Sequence, residues 1–259
     1  MQRDTMQNKA LKFFLLFSIL LGTAIFARAS ELTVAIAYDA PPYVMDHAKR
    51  GLEVDIITQS LPGYSIKFSQ MGWGQIQDAI EKGLANAETN VDEHDDKGRH
   101  YYSNIYIGFV NHAISRKSEN MKINGVNDLV GHHVIAWEGA HQDLGPEFER
   151  LFSPGAAGSK NYIEIPNSQE QVSEFWKKKN SIAIIDESIF AYFSSKEGHS
   201  MEDVDTHKVF LPVSKFRMAF KDEKTRNDFN DGLTRLCSTG KYAALLKKYG
   251  VPEKANICQ

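Results

Sequence analysis

Between Thr89 and Ser103 the sequence reads TNVDEHDDKGRHYYS, with four carboxylates, two histidines, one lysine and one arginine in fifteen residues. Side chains of these types hold metals, move protons or grip anions. An EF-hand calcium loop needs acids at its first, third and fifth positions, a glycine at the sixth and a late glutamate. Counted from Asp92, His94 takes the third place and Lys97 the sixth. Zinc calls for His or Cys brought together by rigid elements, whereas His94 and His100 share one polar segment with no Cys near it. The stretch therefore reads as a solvated loop at the rim of a cleft. Thr89 and Asn90, which end an apolar strand, are its inward-facing residues. His112 and the pair His132 and His133 are similarly isolated and read as structural. No metal and no cofactor is expected.

Catalytic patterns are equally sparse. There is no H-E-x-x-H pair, no G-x-S-x-G elbow and no Cys placed as a nucleophile, so no catalytic residue is assigned. The run SPGAAGSK, residues 153–160, sets its glycines too close together for a phosphate loop and reads as a plain turn.

The elements around these residues alternate between strand and helix. LTVAIAY (32–38) is a short apolar run of strand length, and GLEVDIITQSL (51–61) places Leu52, Ile56, Ile57 and Leu61 near one helix face. YSIKFSQM follows as a strand, then GWGQIQDAIEKG as a helix carrying Ile76 and Ile80 and ending at Gly83. HVIAW, NYIEIP, SIAIID, KVFLPV and KFRMAF continue the strands, with helical periods between and after them. This order predicts an α/β fold with largely parallel sheets. No repeat, heptad or low-complexity tract interrupts it.

The ends carry their own signals. Lys9 and Lys12 precede an uncharged apolar run from Phe13 to Ile25, and Ala27 and Ala29 give the small-x-small spacing of a signal peptidase site. Residues 1–29 therefore read as a cleaved signal peptide, since the apolar run is well short of the roughly 20 residues a bilayer core requires. Cleavage removes four basic residues (Arg3, Lys9, Lys12, Arg28) and one acid (Asp4), taking the formal charge from −3 to −6. A mildly acidic chain has no electrostatic footprint for nucleic acid. Cys237 and Cys258, the two cysteines of the chain, make an even count that suits a disulfide in an oxidising compartment.

Taken in order, LTVAIAYDAPPYV, GLEVDII, GWGQIQDAIEKG, YYSNIYIGF, INGVNDLVGHHVIAWEGA, IAIIDESIFAY and FNDGLTRLCSTGKYAALLKKYG resemble segments of the family 3 extracellular solute-binding proteins. These are the periplasmic components typical of polar amino-acid ABC importers. The resemblance implies a type II periplasmic-binding fold: two α/β lobes with mixed, mostly parallel sheets, joined by a two-strand hinge. Lobe I would be residues 30–111 plus 210–259 and lobe II residues 112–209, with a small polar ligand clamped between them. It also implies a periplasmic, monomeric protein whose partner is an ABC permease in the inner membrane.

Site residues follow from the strand ends, where open α/β sheets place ligand groups. Asp39 and Tyr43 follow the first strand, beside Pro41 and Pro42; Tyr43 offers a ring and Asp39 an acceptor for an ammonium group. Trp73, at the start of the second helix, is an aromatic wall. In WEGAHQ (137–142), Trp137 and Glu138 end a strand and the backbone N–H groups that follow suit an anion. The family's turn usually reads Gly-Thr there; Ala140 takes the threonine's place, which leaves His141 or Glu138 to supply other chemistry. Asp186 matches the family acid that pairs with a ligand's amino group, with a helix cap as its structural alternative. Family members usually carry a carboxylate-gripping arginine about six residues before the aromatic-Ser pair. Here that register falls on Asp96, and Arg99, three residues later, takes the role if the loop is shortened or reshaped; if it does not, an ordinary α-amino acid loses its main anchor and a cationic, polyhydroxylated or peptide-like ligand fits instead.

Two other roles stay open on this fold. Periplasmic cyclohexadienyl dehydratases resemble these binding proteins, and Glu138, Asp186 and Arg99 would then form an acid-base set. A sensor that feeds its closed form to a membrane receptor is the other.

Overall fold

The computed structural model describes residues 30–91 and 100–258. The signal peptide reading, the acidic run from Asp92 and the Arg99 assignment lie outside them. Among the described residues, no helix is long and apolar enough to cross a membrane.

Two mixed sheets carry the chain. The first comprises β1 (Ser30–Ala37), β2 (Tyr64–Met71), β3 (Ala87–Val91), β4 (Tyr101–Tyr102), β5 (Ile107–Phe109) and β11 (Ser214–Phe220). Its order is β2-β1-β3-β11-β4, with β5 also paired to β11. The second comprises β6 (Asn111–Arg116), β7 (His133–Trp137), β8 (Tyr162–Ile165), β9 (Ser181–Asp186) and β10 (Val204–His207), in the order β10-β6-β9-β7-β8. β1 and β3 are parallel, as are β7 with β8 and β7 with β9. The antiparallel pairs belong to the strands where the chain passes from one sheet to the other. β6 runs against β9 and β10, and β11 runs against β3, β4 and β5. The sheets are mixed, but not largely parallel as strand-helix alternation implied: antiparallel pairs outnumber parallel ones among the described residues, because a crossing strand enters its new sheet from the opposite end.

Helices cover these sheets by their apolar stripes. α1 (Leu52–Ser60) buries Leu52, Val54, Ile56 and Ile57 against α7 (Glu223–Ser238) and α8 (Lys241–Tyr249). Gly232 of α7 is what permits the approach: a Cβ built there would stand 1.9 Å from the carbonyl oxygen of Ser60. In the second sheet's layer, α5 (Ser168–Lys177) is capped by Asn167, whose side chain accepts from Glu170 N, and α6 (Glu187–Lys196) by Asp186.

One predicted helix is much shorter than its pattern. GWGQIQDAIEKG forms only α2 (Trp73–Ile76) before turns take over. The buried Glu88 carboxylate accepts from Ile80 N at 2.7 Å, taking an N–H that a continuing helix would have given to the carbonyl of Ile76.

Cys237, in the last turn of α7, is bonded to Cys258 across a separation of 21 residues, so the carboxyl-terminal segment is fastened to the helix. Closing a loop of that length is worth about 3 kcal/mol through the unfolded chain's lost entropy. Reduction is therefore expected to lower the melting temperature measurably in a thermal melt with and without dithiothreitol. Coincident curves would show that the bond constrains nothing the fold does not already hold.

Candidate functional site

The carboxyl ends of β3, β7 and β9 and the start of β6 converge on one cleft, with a cavity of about 40 Å³ inside about 560 Å³ of empty space that includes its open mouth. The first sheet's side supplies an aromatic wall of Trp73, Phe109 and Phe216. Phe109 meets Trp73 edge-on at 6.4 Å between centroids and Phe216 at 5.8 Å. Thr89 and Asn90 of β3 form the polar floor beside them. The second sheet's side supplies Trp137, whose indole N–H donates to Asp143 Oδ2 at 3.1 Å and so holds the ring in place. Glu138, Gln171 and Asp186 complete that side.

Six of the sequence-assigned residues thus come together: Trp73, Thr89, Asn90, Trp137, Glu138 and Asp186. Asp39, Tyr43 and His141 do not line the cavity. Asp39 organises its own loop, accepting from His47 N at 3.0 Å and Gln70 Nε2 at 2.8 Å. Tyr43 is fully buried behind the wall, 4.4 Å from the Phe109 ring, and donates to Asp186 Oδ2 at 3.0 Å. Its side chain is turned inward by the loop after β1 and serves packing rather than the cleft surface. His141 faces Glu164, with Nδ1 2.7 Å from Oε1.

That last contact corrects the reading of the WEGAHQ turn as an anion receptor. The turn is already filled by the protein's own carboxylate: Glu164 accepts from Gly139 N at 2.9 Å, His141 N at 3.3 Å and Tyr162 Oη at 2.6 Å. Burial raises the Glu164 pKa, but the hydrogen bonds from Tyr162, Gly139 and His141 together outweigh it, so the carboxyl stays below its ordinary value and ionised. A ligand carboxylate would have to displace it.

Asp186 is likewise committed. Oδ1 accepts from Ser188 N at 2.9 Å and Ile189 N at 3.2 Å, while Oδ2 accepts from Val110 N at 2.7 Å and Tyr43 Oη. All four lone-pair positions are used, which is the helix-cap alternative rather than a free ammonium acceptor. Burial pushes its pKa up to about 6, with the four hydrogen bonds pulling the other way.

Glu138 has a different kind of neighbour. Its Oε2 accepts from Gly74 N at 2.9 Å, bridging the second sheet to α2 across the cleft mouth. Gly72 and Gly74 flank Trp73 because side chains would obstruct this approach. A Cβ on Gly74 would lie 2.6 Å from Glu138 Cδ, and one on Gly72 would lie 2.9 Å from Pro166 Cβ.

Phe109, Asn111, Phe216 and Gln171 were not picked out by sequence reasoning. For Gln171 a signal existed: Ser168, Gln171, Val172 and Phe175 share the buried face of α5, and a glutamine amid that stripe needs partners. It finds them within β7 and β9, donating to the carbonyls of Ile135 at 3.2 Å and Ile184 at 2.8 Å.

No protein-family model and no curated protein matches the sequence. Solved structures do. A substrate-binding protein of an ABC uptake transporter from Streptococcus pneumoniae, with bound histidine, superposes with a TM-score of 0.69 at 18% identity, covering 89% of this chain and 96% of that one. A mutant ArgBP from T. maritima gives 0.68 at 18% identity, over 86% and 96%. A histidine kinase sensor domain with similarity to periplasmic binding proteins gives 0.70 at 16% identity, over 86% and 96%. With two mixed sheets, helices on their faces and a cleft at the strand ends, the chain has the type II periplasmic-binding fold that the resemblance in its sequence implied.

Proposed function

We propose that this chain is a solute-binding protein that captures a small polar ligand, an amino acid or a close relative, and delivers it to an ABC importer. The lobes would be residues 30–111 with 210–259 and residues 112–209, and residues 1–29 would be removed on export to the periplasm. The observation that carries this reading is the cleft, where residues from both sheets meet around polar groups and aromatic walls. Likeness in fold to binding proteins solved with histidine and with L-arginine supports it. Trp73 and Trp137 sandwich the ligand, while Thr89, Asn90 and Glu138 take its polar groups. Arg99 is the residue to grip a carboxylate. Ligand binding without turnover is the expected activity, since the neighbours are binding proteins.

The test is a thermal-shift screen of residues 30–259, unfolded and refolded to strip carried-over ligand, against the twenty amino acids. A ligand at a hundred times its dissociation constant stabilises by about 2.7 kcal/mol, an easily visible shift. Replacing Arg99 by Ala is expected to abolish that shift at the same concentration. Silence across the panel sinks the amino-acid reading.

A further inference from the structure

Donors and acceptors are unevenly spent in the cleft. Four of its lining side chains direct N–H groups at the protein's own acceptors. Asn90 Nδ2 donates to Glu53 Oε1 at 3.0 Å, Asn111 Nδ2 to Ser214 Oγ at 3.0 Å, Gln171 Nε2 to the carbonyls of Ile135 and Ile184, and the Trp137 indole to Asp143 Oδ2. The backbone N–H groups of the Gly139 turn are given to Glu164. Glu138 is the contrary case. Its Oε2 accepts from Gly74 N, while Oε1 takes no hydrogen bond from the described residues. The half-buried carboxylate stands against α2 beside Trp73, where a Cβ built on Gly74 would lie 2.9 Å from Oε1.

Charge points the same way. Glu138, Asp143 and Asp186 put three carboxylates on the lining, and among the described residues no Lys, Arg or His joins them there. Asp186 is engaged on all sides, yet its four donors are neutral N–H and O–H groups that bring no positive charge. The other conspicuous material is aromatic: Trp73, Phe109 and Phe216 on one side and Trp137 on the other. An aromatic face attracts a cation, and indole does so most strongly. The enclosed space of about 40 Å³ has room for about three waters, the bulk of a compact head group, with the open mouth left for the remainder of a ligand.

An anion meets repulsion in this cleft and a turn already filled. A polyol, whose hydroxyls accept as well as donate, finds few donors to answer it. A positive group that only donates matches the open acceptor, the charge and the rings together. We infer that the ligand is a small organic ammonium ion with no carboxylate, its charged group seated between Trp73 and Trp137 and donating to Glu138 Oε1. The amines left when amino acids lose their carboxyl group are close relatives of this kind. The inference rests on the solute-binding reading above and narrows its ligand; such an ion leaves Arg99 no carboxylate to grip.

The experiment is calorimetric titration of the refolded protein with three pairs that differ only by a carboxylate: arginine and agmatine, lysine and cadaverine, histidine and histamine. At least one amine is expected to bind, and to bind about tenfold or more tighter than its parent amino acid, since the carboxylate brings like charge to an acidic lining. Glu138→Gln keeps an acceptor for Gly74 N but removes the charge, so that amine is expected to bind the variant about tenfold more weakly and its advantage over the amino acid to shrink. An amino acid that binds as tightly as its amine overturns the inference and leaves solute capture standing. Undiminished amine affinity in the variant overturns it as well, because Glu138 would then not hold the charge. Silence from all six compounds overturns it too, and the screen of the twenty amino acids then decides solute capture separately.

Discussion

Replacing Asp186 by Ala is expected to destabilise the ligand-free protein by about 4 kcal/mol, an effect that a residue reserved for the ligand would not produce. The change removes the α6 cap and orphans four donors at once: Ser188 N, Ile189 N, Val110 N and Tyr43 Oη. Loss of a cap alone costs about 1 kcal/mol, and each buried donor left without a partner about 1–3 kcal/mol. Relief from holding a buried carboxyl, whose pKa is pushed up to about 6, offsets part of that sum. Urea unfolding at pH 7 without ligand is the measurement. A variant as stable as wild type that had lost only affinity would return Asp186 to the role of ammonium acceptor.

The second large effect lies far from the cleft. Gly232→Ala should stabilise α7 by about 1 kcal/mol if helix propensity decided the outcome. It is expected instead to cost about 3 kcal/mol, because the added carbon would stand 1.9 Å from Ser60 O and the obstructing atom is backbone, which cannot turn aside. Asp231→Ala, one residue earlier and exposed, is the control and should leave the thermal midpoint nearly unchanged. Equal midpoints for the two variants would mean that α1 and α7 slide apart cheaply.

Most of the architecture was legible because strand runs and helical periods are local properties. Trp73, Trp137 and Glu138 were within reach for the same reason: they sit where a strand ends or a helix begins, and Thr89 and Asn90 belong to the short strand β3. What escaped depends on partners distant in sequence. Whether Tyr43 faces the cleft or backs Phe109 is decided by a ring 66 residues away, and its bond to Asp186 spans 143. The filling of the Gly139 turn by Glu164 has the same origin: nothing near residue 139 announces that a neighbouring strand will bring a carboxylate beneath it. The helical period through Ile80 was real but lost to Glu88, a competitor eight residues on.

The position of β11 has a consequence for the order in which this protein can be made. That strand, residues 214–220, lies between β3 and β4 and also holds β5, yet it is among the last to leave the ribosome. All five strands of the second sheet are synthesised before it. The sheet begun first is therefore finished last: β4 and β5 wait for more than a hundred residues of later chain before their hydrogen-bonding edge arrives. A nascent chain stopped short of Ser214 holds a complete set of strands for one sheet and an unclosed edge on the other. Until translation passes that point, the amino-terminal third stays open to whatever machinery handles unfinished polypeptide.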